Sequence, residues 1–423
     1  MAEIQEYVGL RFMTRFQCLG SACEDPCCRQ WQIPVDEPHF QAIAVALGDT
    51  PEGKAELARV VRRLPVVDQQ PERVGDMALG DDGWCVMRED DNLCSLHRRF
   101  GEDVLGDTCA TYPRSIGRLG SRVEMSGTTS CPEVVRLCLL AEDGVEVVPF
   151  DPARFARRKF AHQLDPELAD PDQRRFAEVR GLMLELLRQP YPVSSRLMFL
   201  AALGHRTAAD LRRGTAPDDA RLDATMASLR DAPVLEALHR GFADTPLDEV
   251  FATAVVLGVL GAERWPRASN FGRLVERVTS RYAPARKNGT LDPRRVWTTF
   301  RKRRDDVPAH LAARMEQYLR NYAINEVYQE WYLACPSLLD FVQLLLVQTA
   351  LIRFLLISHP DTSRACTEPV AQGTARLDAA VVECVSYFSR AAHHTSGLGA
   401  RIMRRLADAG SHSAGPSFNL AKL

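Results

Sequence analysis

The chain has 423 residues, of which 46% are hydrophobic and 26% charged, and its formal net charge is -2. That length exceeds what one hydrophobic core usually serves, so two or three domains are expected, and the composition is that of a soluble globular protein that folds without disulfide staples. The near-neutral balance argues against a dedicated nucleic-acid binder, which would carry a basic excess.

In chain order, Met1 to Tyr7 is acidic and lacks the basic and apolar regions of a secretory leader. Eight of the twelve cysteines then fall between residues 18 and 131. Residues 1–150, with Gly- and Asp-rich turns such as Leu79 to Gly83, read as a loop-rich domain organised around those cysteines. From about residue 153 apolar residues recur at helical spacing, in Phe176 to Leu187, Ser195 to Leu203, Leu247 to Leu260, Met315 to Tyr332, Phe341 to Ile357 and Leu377 to Ala392. The expected fold is therefore mainly α, a cysteine-rich domain followed by an α-helical bundle over residues 151–410. Residues 411–423, rich in Gly and Ser, are expected to be a disordered tail. Phe341 to Ile357 is the most apolar segment. It falls short of the roughly 20 residues of a bilayer span and is interrupted by Gln343, Gln348 and Arg353, so it reads as a core helix and no membrane is expected. A cytoplasmic location, where thiols stay reduced, disfavours a disulfide knot.

The cysteines run Cys18-x4-Cys23-x3-Cys27-Cys28, then Cys85-x8-Cys94 across a polar turn, then Cys109 and Cys131. Packed this densely, thiolates make a soft, anionic pocket suited to zinc or an iron-sulfur cluster. Gly20, Pro26 and Pro132 supply the loops that let side chains converge from several directions. Neighbours on an extended chain point opposite ways, so one of Cys27 and Cys28 need not be a ligand. Cys138, Cys335, Cys366 and Cys384 stand in apolar or helical surroundings and read as packed structural thiols.

Three stretches carry a resemblance: Arg15-Phe16-Gln-Cys18-x-Gly20-Ser21-x-Cys23-Glu24-Asp25-x-Cys27-Cys28-x-x-Trp31, Asp107-Thr-Cys109-x-x-Tyr112-Pro113-Arg114, and Ser130-Cys131-Pro132-Glu133. Together they resemble the flagellin lysine-N-methylase family, over about the first third of the chain. The resemblance implies a 4Fe-4S cluster held by the N-terminal cysteines, and methyl transfer from S-adenosylmethionine to lysines of a protein substrate, flagellin or flagellin-like. The family-type positions are Cys18, Cys23, Cys27, Cys28, Cys85, Cys94, Cys109 and Cys131. A 4Fe-4S cluster takes four thiolates, which leaves four for a second metal, a redox role or packing.

Methylating lysine requires a neutral amine, so the enzyme must remove or disfavour a proton held with a pKa of about 10.4. Glu24, Asp25, Asp107, Tyr112 and Glu133, all near the cysteine motifs, are the candidates for cradling that amine, against a plain reading as surface charges or caps. No Gly-rich strand-turn-helix announces a nucleotide-type pocket; Gly397-Leu-Gly399 has no strand before it, and Gln30 stands where a third cysteine of a Cys-x3-Cys-x2-Cys run would be. The basic stretch from Arg286 to Arg304 reads as a solvated helix face, and His393-His394 as a helix C-terminus. The alternatives to a methyltransferase are a non-catalytic zinc- or iron-binding protein and an electron-transfer module.

Overall fold

The computed structural model describes residues 3–423 apart from residues 30, 155–156, 158, 215, 263–264, 267–268, 284–285, 288–289, 395–401 and 404–418. Two buried cores organise these residues. The larger joins Phe12, Met13, Ile116, Met125 and Val134 to the helices, and the smaller gathers Ile33, Ile43, Val60, Met77 and Leu96. The packing boundary therefore does not coincide with residue 150. Residues 6–16 and 112–150 share a core with the helices, and residues 33–105 form a satellite beside it.

The N-terminal part, loop-rich around its cysteines, also carries two small sheets. Glu6–Leu10 pairs parallel with Arg122–Gly127, Tyr7 opposite Val123, and antiparallel with Val147–Pro149. Arg114–Leu119 forms an antiparallel hairpin with Arg122–Gly127 and carries His162–Leu164 parallel on its other edge. Gly120, at φ +58°, supplies the left-handed residue that this two-residue turn requires. A three-stranded sheet, Pro34–Val35, Gly75–Met77 and Val61–Arg63, underlies the satellite core.

All six segments predicted as helical coincide with helices, the longest being Ala309–Gln329, Leu338–Ser358 and Val370–His394. Phe176–Leu187 has the bounds read from the sequence. Tyr332 falls outside its predicted helix, because the chain leaves helical geometry at Glu330. Trp331 then sets its ring between Phe176 and His162, with centroids 4.6 and 5.4 Å away. Gly117 makes room for that ring, since a Cβ there would stand 3.0 Å from it. A buried ion pair, Arg180 Nη2 to Glu124 Oε1 at 2.7 Å, ties the same sheet to the helices.

Leu338–Ser358 begins where Ser337 Oγ accepts the Asp340 N–H at 3.1 Å. Among the described residues it is the helix long and apolar enough to cross a membrane, and it is mostly buried by the rest of the protein, as a core helix is. Of the tail expected to be disordered, residues 411–418 lie outside the described ones, as does Gly397-Leu-Gly399. Residues 419–422 depart from that expectation: they are helical, Leu420 and Leu423 are buried, and Arg353 Nη1 donates to the Ala421 carbonyl at 3.2 Å. Apolar side chains at the chain's end make this docking worth its ordering entropy.

Gly127 tests how tightly sheet and helices meet. A Cβ there would lie 2.7 Å from Met13 Sδ and 3.2 Å from both Phe12 and Val134. Gly127→Val is expected to cost about 1–3 kcal/mol, read as a lower urea midpoint; an unchanged midpoint would show that this layer is not packed to native density.

Candidate metal centre

The local structure around Cys18, Cys23, Cys85 and Cys131 turns each sulfur toward backbone amides. Cys18 and Cys23 bracket the short turn Gly20–Ala22, where Gly20 adopts φ +56° and its N–H lies 3.5 Å from Cys18 Sγ. The Cys23 thiol faces the N–H of Asp25, and the Cys85 thiol that of Met87. Cys131 stands at the N-cap of Pro132–Leu139 and faces the N–H groups of Glu133 and Val134. The polar turn between Cys85 and Cys94 closes through a bridge between Arg88 and Cys94, after which Cys94 caps Ser95–Phe100. Cys109 lies in the short helix Asp107–Thr111.

These elements bring all eight predicted cysteines to the wall of one cavity of about 210 Å³, at the seam between the two cores. Cys109 shows exposed surface because it opens into that cavity, although protein surrounds it. Among the described residues no three of the sulfurs lie within 4.8 Å of one another. Four Zn–S bonds of about 2.3 Å in a tetrahedron would bring sulfurs to about 3.8 Å, closer than these sulfurs stand as a group. The donor set, all thiols with amides aimed at several of them, fits an iron-sulfur cluster.

Burial and mutual repulsion push most of these thiols upward, Cys23 to about 11 and Cys131 to about 12, with Cys28, Cys85 and Cys109 also raised. Cys27 goes the other way, to about 7, because the Cys28 thiol donates to it and Arg390 lies near, against the pull of burial. Removing a proton from Cys28 would lose that bond, which is what raises it.

Arg390, on Val370–His394, holds the cysteine loops in place. Its Nη2 donates to the carbonyls of Asp25 (3.1 Å) and Ser130 (3.2 Å), and its Nη1 to that of Pro26 (3.1 Å). Nη1 also stands 3.0 Å from Asp25 Oδ2, an ion contact without hydrogen-bond alignment. Asn270 Nδ2 donates to the other Asp25 oxygen at 2.8 Å. One guanidinium thus clasps both the Cys23–Cys28 loop and the residue before Cys131. Burial raises the Asp25 carboxyl despite Arg390, so this carboxylate is held at a cost.

The other predicted catalytic residues are all engaged. Glu24 and Glu133 share the Arg136 guanidinium. Burial alone would raise Asp107, but Lys159 at 2.9 Å and Arg157 at 3.2 Å hold it below its ordinary value. Ligand atoms of Asp36, His39 and Asp107 lie within 4.8 Å of one another, a spacing a cation could use, yet those two basic side chains already balance the cluster. The Tyr112 phenol, pushed up by burial, lies 3.1 Å from Ser130 Oγ and 5.4 Å, ring to ring, from Trp31. Arg390 and Asn270 carry no local sequence signal as site residues; each acts on a loop more than 200 positions away in the chain.

Arg390→Met is expected to destabilise the fold by about 3–5 kcal/mol, because Asp25 would be left as a buried charge without its counter-ion. Combining it with Asp25→Asn should recover part of that loss. Urea unfolding of both single variants and of the double variant measures this; losses that simply add would show that the pair is not coupled.

The FliB lysine N-methylase C-terminal domain matches residues 180–418, which is the helical part of the chain, where no motif was legible. Among curated proteins, the chain is 28% identical over 135 residues to a lysine-N-methylase of Salmonella typhimurium, 32% of each chain. It is 27% identical over 135 residues to the flagellar biosynthetic protein FliU of Salmonella muenchen, 32% of this chain and 77% of that one. A lysine-N-methylase of Salmonella choleraesuis is 29% identical over 134 residues, again 32% of each. The alignments thus span about a third of the length of the two methylases, and no solved structure matches. The eight-cysteine chamber and the family match over more than half of the chain converge: the chain belongs to the FliB lysine N-methylase family.

Proposed function

We propose that this protein transfers methyl groups from S-adenosylmethionine to lysine side chains of a protein substrate, flagellin or a flagellin-like protein, and that its cysteine chamber holds a 4Fe-4S cluster. The observation that carries this reading is the convergence of all eight family-type cysteines on one cavity. A cytoplasmic location, with its reduced thiols, goes with it.

Cys18, Cys23, Cys27, Cys28, Cys85, Cys94, Cys109 and Cys131 are the residues available to hold the cluster. When bound, the cluster would supply one-electron chemistry and the sulfonium cofactor its methyl group. The chain's own task is to bind the lysine, bring its amine to the neutral form and keep water away. None of the five carboxyl and phenol groups near the cysteines is poised to take that proton. Glu24, Glu133 and Asp107 are tied up by cations, Asp25 lies under Arg390, and Tyr112 holds its own proton. The amine's partner therefore belongs elsewhere in the molecule.

Anaerobic purification should give a broad visible absorption band that bleaches on reduction, with about four iron and four sulfide per chain. Incubation with methyl-labelled S-adenosylmethionine and flagellin should place label on lysine. Zinc with no visible band and no transfer would instead support a non-catalytic metal-binding protein.

A further inference from the structure

A second cavity, of about 260 Å³, lies in the helical part between the end of Ala309–Gln329, the turn that follows it, Leu338–Ser358 and the end of Val370–His394. Phe341, Leu344, Leu345 and Ile402 give it apolar walls, and its polar lining is Glu326, Glu330, Gln348 and His393. It shares a partition with the cysteine chamber. Thr128 Oγ1 is 3.3 Å from His393 Nδ1, Thr129 Oγ1 donates to Glu326 Oε1 at 3.3 Å, and Cys131, two residues on, lines the cysteine chamber.

The charges around this cavity do not balance. Glu326 is buried, with one oxygen 3.4 Å from His393 Nε2. Burial would lower His393, but Glu326 and Glu330 together raise it to about 9, so the imidazole is charged at neutral pH. One positive charge faces two carboxylates, leaving one negative charge uncompensated among the described residues of the lining. Glu330, the less buried of the two, accepts one hydrogen bond among the described residues, from Gln329 Nε2 at 2.8 Å. A separate observation points the same way. Gln348 is only 8% exposed, lines the cavity, and its amide has no hydrogen-bond partner among the described residues. Its amide opens into the cavity instead of being sealed in the protein, so a ligand there can bond it.

We propose that this cavity binds an organic cation carried on an aliphatic stem, with Glu330 as its counter-charge, the Gln348 carbonyl as a hydrogen-bond acceptor and the apolar walls around the stem. The occupant we assign is the side chain of the substrate lysine. This assignment rests on the lysine-methylating reading, and it places the ammonium beside carboxylates on the far side of the Thr128–Cys131 partition from the thiols. The sulfonium of S-adenosylmethionine shares the same chemistry, a cation on an alkyl chain, so the two sources must be separated by experiment.

The test is calorimetric titration of the full-length, cluster-loaded protein with Nα-acetyl-lysine methylamide, with its uncharged norleucine counterpart, and with S-adenosylmethionine. Glu330→Gln keeps the hydrogen bond from Gln329 and removes the charge. It should weaken the lysine probe about tenfold or more, leaving iron content and S-adenosylmethionine affinity unchanged. Gln348→Leu should also weaken the lysine probe without lowering Tm, because no bond within the protein is lost; a purely structural glutamine would not behave so. If S-adenosylmethionine weakens instead, the cavity serves the sulfonium and the lysine assignment is overturned. Equal binding of the norleucine probe, no saturable binding of the lysine probe, or no response to either variant overturns the proposal outright. Lysine binding that depends on Glu330 in a protein that transfers no methyl would leave this inference standing and sink the methylase reading. Transfer that persists with lysine affinity indifferent to Glu330 would do the reverse.

Discussion

The buried guanidinium of Arg390 is the constraint on which the metal chamber depends. Loops that carry clustered thiols have little apolar surface of their own and gain no hydrophobic reason to adopt one conformation. Here a planar cation with several donors accepts that role, binding carbonyls from both cysteine loops at once. Its own desolvation is offset by Asp25, whose second oxygen is in turn held by Asn270. The same positive charge faces a chamber where thiolates must form, so one residue serves both geometry and charge balance. Lysine, with a single charged point, could not reach three carbonyls in the same way.

The thiols themselves resist what a metal asks of them. Burial and mutual repulsion hold most of them in the protonated form, and Cys27 alone is brought near neutrality. Backbone amides aimed at Cys18, Cys23, Cys85 and Cys131 work in the opposite direction, since an N–H donor favours sulfur carrying negative charge. A metal bound there would supply the remaining favourable charge, which would make binding and deprotonation one coupled event.

Much of this was legible in the sequence, for reasons that differ by element. The cysteines announced themselves because eight of twelve fall within little more than a hundred residues. Phe176–Leu187 was readable at both ends because Gln189-Pro190 stops the helix just after its last apolar residue. The five-stranded sheet was not, because its strands are three to six residues long and glycines break their alternation at Gly9, Gly117 and Gly127. The carboxylates beside the cysteines were visible, but the basic groups that neutralise them come from Arg136, Lys159 and Arg390, which only folding brings near. Glu326 and Glu330 stand at the end of one helix while Gln348 and His393 come from two others, and nothing local marks any of them.

The clasp between Arg390 and Asp25 joins residues 365 positions apart. On a ribosome adding about 5–20 residues per second, roughly 20 to 70 s pass between the synthesis of the first cysteine loop and that of the side chain that shapes it. The strand Glu6–Leu10 waits too, since both neighbours in its sheet are made much later. Through that interval Cys18, Cys23, Cys27 and Cys28 belong to a nascent chain with no chamber to enter. Any metal the chamber takes would therefore enter after translation, once Arg390 has closed the loops around it.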